Sequence, residues 1–243
     1  YKRQDYWTQV IDIELPPIVR FERQGGGKDA IQRAAKMLSD AKFPVILSGA
    51  GVVIGDAINE CKALAEKLDA PVCNGYQHND SFPGSHPLAV GPLGYNGSKA
   101  AMQLISKADV VLALGTRLNP FSTLPGYGID YWPKNANIIQ VDMNPDRIGL
   151  TKKVTVGIAG DAKQVAKQIF DKLSSNAGDS GREDRKNLIH QTKSAWLQTL
   201  TSLDHEDDDP GTVWNKEARE RDKDRMSPRQ AWRAIQAAMP EDA

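Results

Sequence analysis

Residues 42–55 of the chain, which read KFPVILSGAGVVIG, decide the fold. The apolar run from Phe43 to Leu47 is continuous rather than alternating, which is typical of a strand covered on both faces in a parallel α/β sheet. A glycine turn at Gly49-Ala50-Gly51 follows, and a helical pattern extends from about Asp56 to Leu68. The stretch therefore predicts a strand–turn–helix unit of an α/β protein.

The glycine turn between this strand and its helix has two interpretations. Glycines let the backbone approach a ligand closely, and free N–H groups at a helix start favour an anion such as a nucleotide diphosphate. The glycines fall at 49, 51 and 55, however, and not in the spacing G-x-G-x-x-G, and Asn74 stands where a ribose-binding acid would end the second strand. A phosphate cradle and a plain strand–turn–helix corner therefore both remain open.

Composition excludes several classes of protein. Lysine plus arginine and aspartate plus glutamate each number 31, the formal net charge is zero, and the basic residues are scattered, which argues against nucleic-acid binding. No apolar run approaches the roughly 18 residues that span a membrane, and the start YKRQDYW lacks the layout of a signal peptide. The two cysteines form neither a C-x-x-C motif nor a disulfide framework. These features predict a cytoplasmic protein without a nucleic-acid or membrane partner.

Further strands and helices alternate along the chain. Apolar runs predict a short strand at Pro71–Asn74 and longer ones at Asp109–Leu114, Asn137–Asp142 and Val154–Ala159. Helical spacing is found at Lys28–Ala41, Ser98–Lys107 and from Asp161, a candidate N-cap, to about Leu173. Residues 76–97 are expected to form a loop. Four or five strands interleaved with helices predict a doubly wound, Rossmann-like parallel sheet.

The remaining segments predict the organisation of the chain. We expect an extended interdomain linker at 1–27, the central α/β domain at 28–175, and a linker with a helical segment, Leu188–Leu203, within 176–226. Ser227-Pro228 starts a helix as cap and first residue, which predicts that 227–243 is the first helix of a further, truncated domain. The acidic run at 204–209, next to Pro-Gly, is interpreted as a solvated turn rather than a metal site.

Candidate ligand-binding residues follow the predicted strands, because open α/β sheets bind ligands at the carboxyl ends of their strands. Gly115 and Arg117 come after one strand, and Arg117 is a candidate phosphate partner. Asp142 ends another strand, where it either accepts hydrogen bonds from a ribose or adenine or caps the turn through Asn144. A second glycine-rich segment, Gly91 to Gly97, leads into the helix that Ser98 caps.

Two other features have alternative interpretations, and the chain lacks a complete catalytic set. His78 beside Asp80 suits acid–base chemistry or a surface role, since no nucleophile with a recognisable pattern accompanies it. The loop from Leu118 to Pro133 is long for a compact domain, which indicates contact with a ligand or another domain. No nucleophile elbow, P-loop or metal-spaced His/Cys cluster occurs. We therefore assign no catalytic and no metal-binding residue.

The order of several segments resembles a known family. These segments read PVILSGAGVV, APVCNGY, GPLGYNGSKAA, ADVVLALGTRL, IIQVDMNPDRIG and VGIAGDA. Together they are similar to the central domain of thiamine-diphosphate enzymes of the acetolactate synthase and pyruvate oxidase type, over roughly Lys28 to Lys172. The resemblance implies three α/β domains in series (pyrimidine-binding, central and diphosphate-binding), and a central domain that can hold FAD or ADP.

Other segments narrow the resemblance to an acetyltransferase branch of this family, with an acetolactate-synthase-like enzyme as the alternative. They read YWTQVIDIELP, GYQHNDSFPGSHPL, RLNPFSTLPGYGIDYWP, DHEDDDPGT and RMSPRQAWRAIQ. The branch implies a longer parent enzyme that transfers an acyl group to phosphate with thiamine diphosphate and magnesium, as a homo-oligomer (dimer or tetramer). The glutamate that activates the cofactor and the metal ligands would lie outside this chain. We therefore expect the chain by itself to be inactive.

The resemblance also implies which residues would surround a bound dinucleotide. These are Gly49, Ala50, Gly51, Leu93, Gly94, Tyr95, Asn96, Gly115, Arg117, Asp142 and Asp161. The loop at 93–97 reads LGYNG where acetolactate synthases carry a Met-His pair, which disfavours flavin. A stand-alone nucleotide-binding module of the same fold is the alternative from another class of protein. An NAD-dependent, deacetylase-like enzyme is disfavoured because the acidic ribose partner is absent.

Overall fold

A computed structural model of the chain describes residues 22–202 and 228–239. Most of the linker expected at 1–27, the acidic run at 204–209 and the cap at Ser227 lie outside the described residues. In the two described ranges, no helix combines the length and the hydropathy that crossing a membrane requires.

Six parallel strands form one sheet in the described part of the chain. Their spatial order is β3-β2-β1-β4-β5-β6. This order is that of a doubly wound dinucleotide-binding sheet, and it places the topological switch point between β1 and β4. The predicted Rossmann-like fold is confirmed. The strands are β1 (Pro44–Ser48), β2 (Val72–Asn74), β3 (Ala89–Pro92), β4 (Val110–Leu114), β5 (Asn137–Asp142) and β6 (Val156–Ala159).

Helices cover the sheet because its central strands are apolar throughout. Every residue of β1 and β4 is buried, so both faces of these strands need a cover. The helices are α1 (Lys28–Asp40), α2 (Ala50–Ile54), α3 (Ile58–Leu68), α4 (Lys99–Ile105), α5 (Ala162–Lys172), α6 (Arg182–Ser202) and α7 (Pro228–Ala238). Helix α5 packs against α1 and α3, whereas α4 packs against α6. These two groups of helices give the layered core of an α/β domain.

Two local predictions were wrong. Residues 76–97, expected as a loop, contain β3, which pairs with β2 at the edge of the sheet. Gly91, with φ of 91°, and Pro92 both disfavour a strand, so pairing with β2 and not local propensity forms β3. The stretch expected as a glycine turn contains the short helix α2, and Asp56, with φ of 54°, separates α2 from α3, which is the helix expected from about Asp56 to Leu68.

The linker expected between residue 176 and the helical segment at Leu188 contains the start of α6. The predicted helix from Leu188 exists, but it begins at Arg182. Ala177 and Arg185 are almost fully buried, so this segment packs into the body of the domain. The division of the chain into domains stays a prediction.

Helix α7 forms where the sequence predicts a helix. Its large apolar side chains, Trp232 and Ile235, are exposed, as is Met239 directly after the helix. That α7 opens a further domain stays a prediction.

Candidate functional site

A cleft of about 490 Å³ opens at the topological switch point of the sheet. Gly49 follows β1 and Gly115 follows β4, and both line this cleft. The cleft has the volume of an ordinary small-molecule site and the position where open α/β sheets bind ligands. The predicted ligand residues that line it are Gly49, Ala50, Gly51, Gly115, Arg117, Asp142 and Asp161.

The glycines after β1 and β4 meet each other directly. The Gly51 N–H donates to the Gly115 carbonyl oxygen at 2.8 Å, and the Gly49 N–H donates to the Leu114 carbonyl oxygen at 3.1 Å. A Cβ on Gly51 would lie 2.7 Å from the Cα of Gly115. These glycines therefore let two backbones come into contact. The phosphate-cradle hypothesis requires free N–H groups to bind an anion, but the N–H groups of Gly49 and Gly51 are already bound to carbonyl oxygens.

Three guanidinium groups make the cleft attractive to anions. Arg117 and Arg147 are exposed, and neither forms an ion pair with a residue that the structure describes. Arg23 donates to the Gly55 carbonyl oxygen at 2.6 Å and lies 3.8 Å from Asp161. Arginines are suited to bind phosphate groups because their planar fork matches phosphate oxygens. Arg117 was predicted because it follows a strand, whereas Arg23 and Arg147 were not predicted.

Both acidic residues of the cleft also have local structural roles. Asp142 accepts from the Asn144 N–H at 2.8 Å, so the turn-capping alternative is observed at a residue that also lines the cleft. Asp161 is buried and accepts from the Gln164 N–H at 3.1 Å, as predicted for the N-cap of α5. The other carboxylate oxygen of Asp142 is therefore better placed for a ligand than the carboxylate of the buried Asp161.

A buried polar network holds the loop at 75–78, which forms one wall of the cleft. The Asn74 amide donates to the Ser81 hydroxyl at 3.0 Å and to the His78 carbonyl oxygen at 3.2 Å. The Ser81 hydroxyl donates to the same carbonyl oxygen at 2.8 Å. His78 itself is half-exposed, with Nδ1 3.9 Å from Asp80. Asn74 thus positions a wall of the cleft, a role that buried Asn and Ser at strand ends could have indicated.

The predicted loop residues Leu93, Gly94, Tyr95 and Asn96 do not line the cleft. Leu93 is buried, whereas Tyr95 is 68% exposed. The Tyr127 hydroxyl donates to the Gly97 carbonyl oxygen at 3.2 Å, so this loop packs against the long loop after β4. The structure therefore separates these four residues from the seven that it gathers at the switch point.

The long loop from Leu118 to Pro133 reaches the cleft through Asn119 and Ser122. Tyr131 anchors it by donating to the Ser122 carbonyl oxygen at 3.1 Å. Burial raises the pKa of Tyr131 to about 12, so this hydroxyl stays a donor at neutral pH. The Ser122 hydroxyl in turn accepts from the Tyr76 N–H at 2.8 Å, which links the loop to the opposite wall.

The described residues do not fit thiamine diphosphate with its metal. They contain no group of three or more His, Cys, Asp or Glu residues that could hold a metal ion. A divalent cation that bridges diphosphate oxygens needs oxygen ligands from the protein. The described residues therefore supply no cluster of metal ligands for a thiamine-dependent reaction.

Comparison with known proteins gives the family of the chain. Residues 31–169 match the model of "Thiamine pyrophosphate enzyme, central domain". A probable sulfoacetaldehyde acetyltransferase from Rhizobium meliloti is 77% identical over 99% of this chain and 41% of its own length. A sulfoacetaldehyde acetyltransferase from Roseovarius nubinhibens is 72% identical over 99% of this chain and 40% of its own length.

A solved structure agrees at the level of fold. The benzoylformate decarboxylase of Polynucleobacter necessarius superimposes with a TM-score of 0.55 and 22% identity, over 73% of this chain and 33% of that one. The chain spans about two fifths of the length of the curated relatives that it matches. Because the family model covers more than half of the sequence, the chain belongs to the thiamine pyrophosphate enzymes and contains their central domain.

Proposed function

We propose that the chain is part of a longer, thiamine-diphosphate-dependent acetyltransferase. This enzyme converts sulfoacetaldehyde and phosphate into acetyl phosphate and sulfite, without net oxidation or reduction. The observation that carries the proposal is the alignment of almost the whole chain with proteins named sulfoacetaldehyde acetyltransferase, at 77% and 72% identity. The proposal includes magnesium as the metal and a place in taurine metabolism.

The proposal also covers the partners, the domain organisation and the cellular location of the chain. Its partners are the other domains of the same polypeptide, in a homo-oligomer, and the catalytic groups lie in those domains. Residues 28–175 act as the central domain, with 1–27 and 176–226 as connections and 227–243 opening the diphosphate-binding domain. Cys61 and Cys73 are buried free thiols, which supports the reducing cytoplasm as the location.

An assay of acetyl phosphate formation tests this function. The full-length protein, with thiamine diphosphate, magnesium, phosphate and sulfoacetaldehyde, is expected to release sulfite and acetyl phosphate in equal amounts. The 243-residue chain alone is expected to release neither, because it lacks the cofactor-activating groups. Turnover of pyruvate but not of sulfoacetaldehyde would overturn the proposal in favour of an acetolactate-synthase-like enzyme.

We further propose that the cleft at the switch point binds an adenine nucleotide, ADP before FAD. Support comes from its volume, from its exposed arginines Arg117 and Arg147, and from the partly accessible carboxylate of Asp142. A charged hydrogen bond from an arginine to a phosphate contributes about 1.5–3 kcal/mol. The glycine turn would then shape the cleft, while the arginines hold the phosphates.

Thermal unfolding with added nucleotides tests this second proposal. ADP at about 100 times its dissociation constant is expected to stabilise the protein by about 2.7 kcal/mol, which raises the unfolding midpoint. Arg117→Ala should weaken the binding of ADP about tenfold or more, because it removes an arginine–phosphate hydrogen bond. Arg33→Ala, an exposed arginine outside the cleft, should leave ADP binding unchanged. If neither ADP nor FAD shifts the midpoint, the cleft is structural and its assigned residues are turn and capping residues.

A further inference from the structure

A buried glutamine of β5 joins the two segments that carry the unpaired arginines of the cleft, namely the turn after β4 and the segment between β5 and β6. Gln140 is 1% exposed. Its amide nitrogen donates to the carbonyl oxygens of Thr116 and Arg147, both at 3.2 Å, and its amide oxygen accepts from the Gly149 N–H at 2.9 Å. The Thr116 carbonyl belongs to the peptide bond that leads into Arg117. One side chain therefore fixes the main chain beside both arginines.

A second hydrogen bond joins the same two segments. The Thr151 hydroxyl donates to the Leu118 carbonyl oxygen at 2.8 Å, and the Thr116 hydroxyl accepts from the Leu118 N–H at 3.2 Å. Leu118 is buried with φ of 53°, a conformation that non-glycine residues rarely adopt and that persists only where the surrounding structure holds it. Residues strained in this way are concentrated at ligand sites. The residue after Arg117 is therefore held from both segments.

The guanidinium groups of Arg117 and Arg147 are available for a ligand. Both residues are exposed and line the cleft, and neither forms an ion pair with a residue that the structure describes. Arg23, the third arginine of the cleft, is already bound to a main-chain carbonyl oxygen and lies 3.8 Å from Asp161. The cleft thus presents two uncommitted guanidinium groups, and Gln140 ties together the main chain that carries them.

Two arginines on joined segments suit a diphosphate better than a monophosphate. The planar fork of a guanidinium binds two oxygens of one phosphate group. A diphosphate offers each arginine a phosphate group of its own, whereas a monophosphate divides its oxygens between the two forks and carries less negative charge. Asp142 also lines the cleft, and its carboxylate repels an anion, so a phosphate is favoured only where the arginines outweigh this repulsion.

We propose that Gln140 is a positioning residue that holds Arg117 and Arg147 as a pair for the diphosphate of a nucleotide, with Thr151 as the second tie. The inference rests on the proposed nucleotide site and deepens it, because it names the group of the ligand that is recognised and the side chain that prepares the site. Preorganised residues bind more tightly, since less conformational freedom is lost on binding. Without Gln140 each arginine can still meet a phosphate, but the main chain no longer holds the two in register.

Calorimetric titration of the full-length protein with ADP and with AMP tests the proposal, with thiamine diphosphate and magnesium at saturation so that the cofactor site is filled. We expect ADP to bind at least about tenfold more tightly than AMP, since the second phosphate adds charged hydrogen bonds. Gln140→Met keeps most of the side-chain volume but removes the three hydrogen bonds. It should reduce the preference for ADP to less than about threefold, mainly by weakening ADP. An unchanged preference overturns the proposal.

Two further variants cover the case in which Gln140→Met folds poorly. Thr151→Val removes the second tie at an exposed position, so the fold should tolerate it, and the preference for ADP should fall at least about twofold. Asp109→Asn weakens the hydrogen bonds to the N–H groups of Lys42 and Phe43 at the opposite edge of the sheet, so it should lower stability and leave the preference unchanged. No effect of Thr151→Val, or an equal loss in Asp109→Asn, contradicts the proposal.

A double-mutant cycle separates positioning from an independent contact with the ligand. If Gln140 acts through the arginines, Gln140→Met should cost at least about threefold less ADP affinity in an Arg147→Ala background than in the unchanged protein. Losses that simply multiply contradict a positioning role. If neither ADP nor AMP binds the unchanged protein, the proposed nucleotide site itself fails. If both bind with equal affinity, the nucleotide site stands and only the diphosphate pair is overturned.

Discussion

Replacing Arg185 by methionine is expected to lower the free energy of unfolding by about 3–5 kcal/mol. Arg185 is 1% exposed, and each of its five N–H groups donates to a main-chain carbonyl oxygen. Methionine fills much of the space but leaves these carbonyls without a donor, and a buried unpaired polar group costs about 1–3 kcal/mol. The carbonyls belong to Lys42, Leu68, Asp69, Gly178 and Ser180.

The large effect follows from where these carbonyls lie. Leu68 ends α3, Lys42 precedes β1, and Gly178 precedes α6, so one guanidinium joins three parts of the domain. Burial lowers the pKa of Arg185, but arginine stays charged in proteins, and the carbonyl dipoles compensate the charge. Removing the side chain therefore releases the start of α6 from the sheet.

Urea denaturation of matched variants measures this effect. Arg185→Lys keeps the charge but has three donors instead of five, so it should still lose about 2 kcal/mol. Arg182→Met removes a half-exposed arginine that pairs with Asp69 at 2.9 Å and should cost less than about 1 kcal/mol. If Arg185→Met and Arg182→Met prove equally mild, water replaces the guanidinium and the segment is not held by Arg185.

The central strands could be predicted from the sequence because their signal is local. The apolar runs that became β1 and β4 are continuous, and each is buried throughout. The strand β3 could not be predicted, since Gly91 and Pro92 argue against a strand and only its pairing with β2 forms it. The start of α6 was not predicted for a related reason. Its charged sequence is typical of a linker, and only the tertiary hydrogen bonds from the buried Arg185 to main-chain carbonyl oxygens hold it against the domain.

The candidate site was predicted in part because topology constrains it. Once the sheet is doubly wound, the residues after β1, β4 and β5 must meet at one edge, as Gly51, Gly115 and Asp142 do. Arg23 and Arg147 do not belong to any recognisable sequence motif, so their position at the cleft follows only from the fold. The loop containing Leu93 and Tyr95 was assigned by resemblance, and its packing against the loop after β4 keeps it away from the cleft.

Replacing Gly115 by alanine is expected to lower the free energy of unfolding by about 2–5 kcal/mol. Two costs add up at this position. Gly115 has φ of 61°, in the left-handed region that alanine disfavours. A Cβ there would also lie 2.7 Å from the Cα of Gly51, a contact that requires the start of α2 and the turn after β4 to separate. Because the start of α2 and the turn after β4 both line the cleft, the substitution should also abolish any nucleotide-dependent rise of the unfolding midpoint.

Two other glycines separate the two costs. Gly128 has φ of 73°, but a Cβ there would meet no atom within 4 Å, so Gly128→Ala measures the backbone cost alone, about 1–2 kcal/mol. Gly84 has neither constraint, and Gly84→Ala should change stability by less than about 0.5 kcal/mol. Urea denaturation of the three variants gives the cost of the Gly51–Gly115 contact by difference. If Gly115→Ala costs no more than Gly128→Ala, the start of α2 and the turn after β4 can move apart freely, and the close approach of their backbones does not stabilise the switch point. A larger cost for Gly115→Ala would mean that the glycines at 51 and 115 are required by the junction of β1 and β4 whether or not a nucleotide binds.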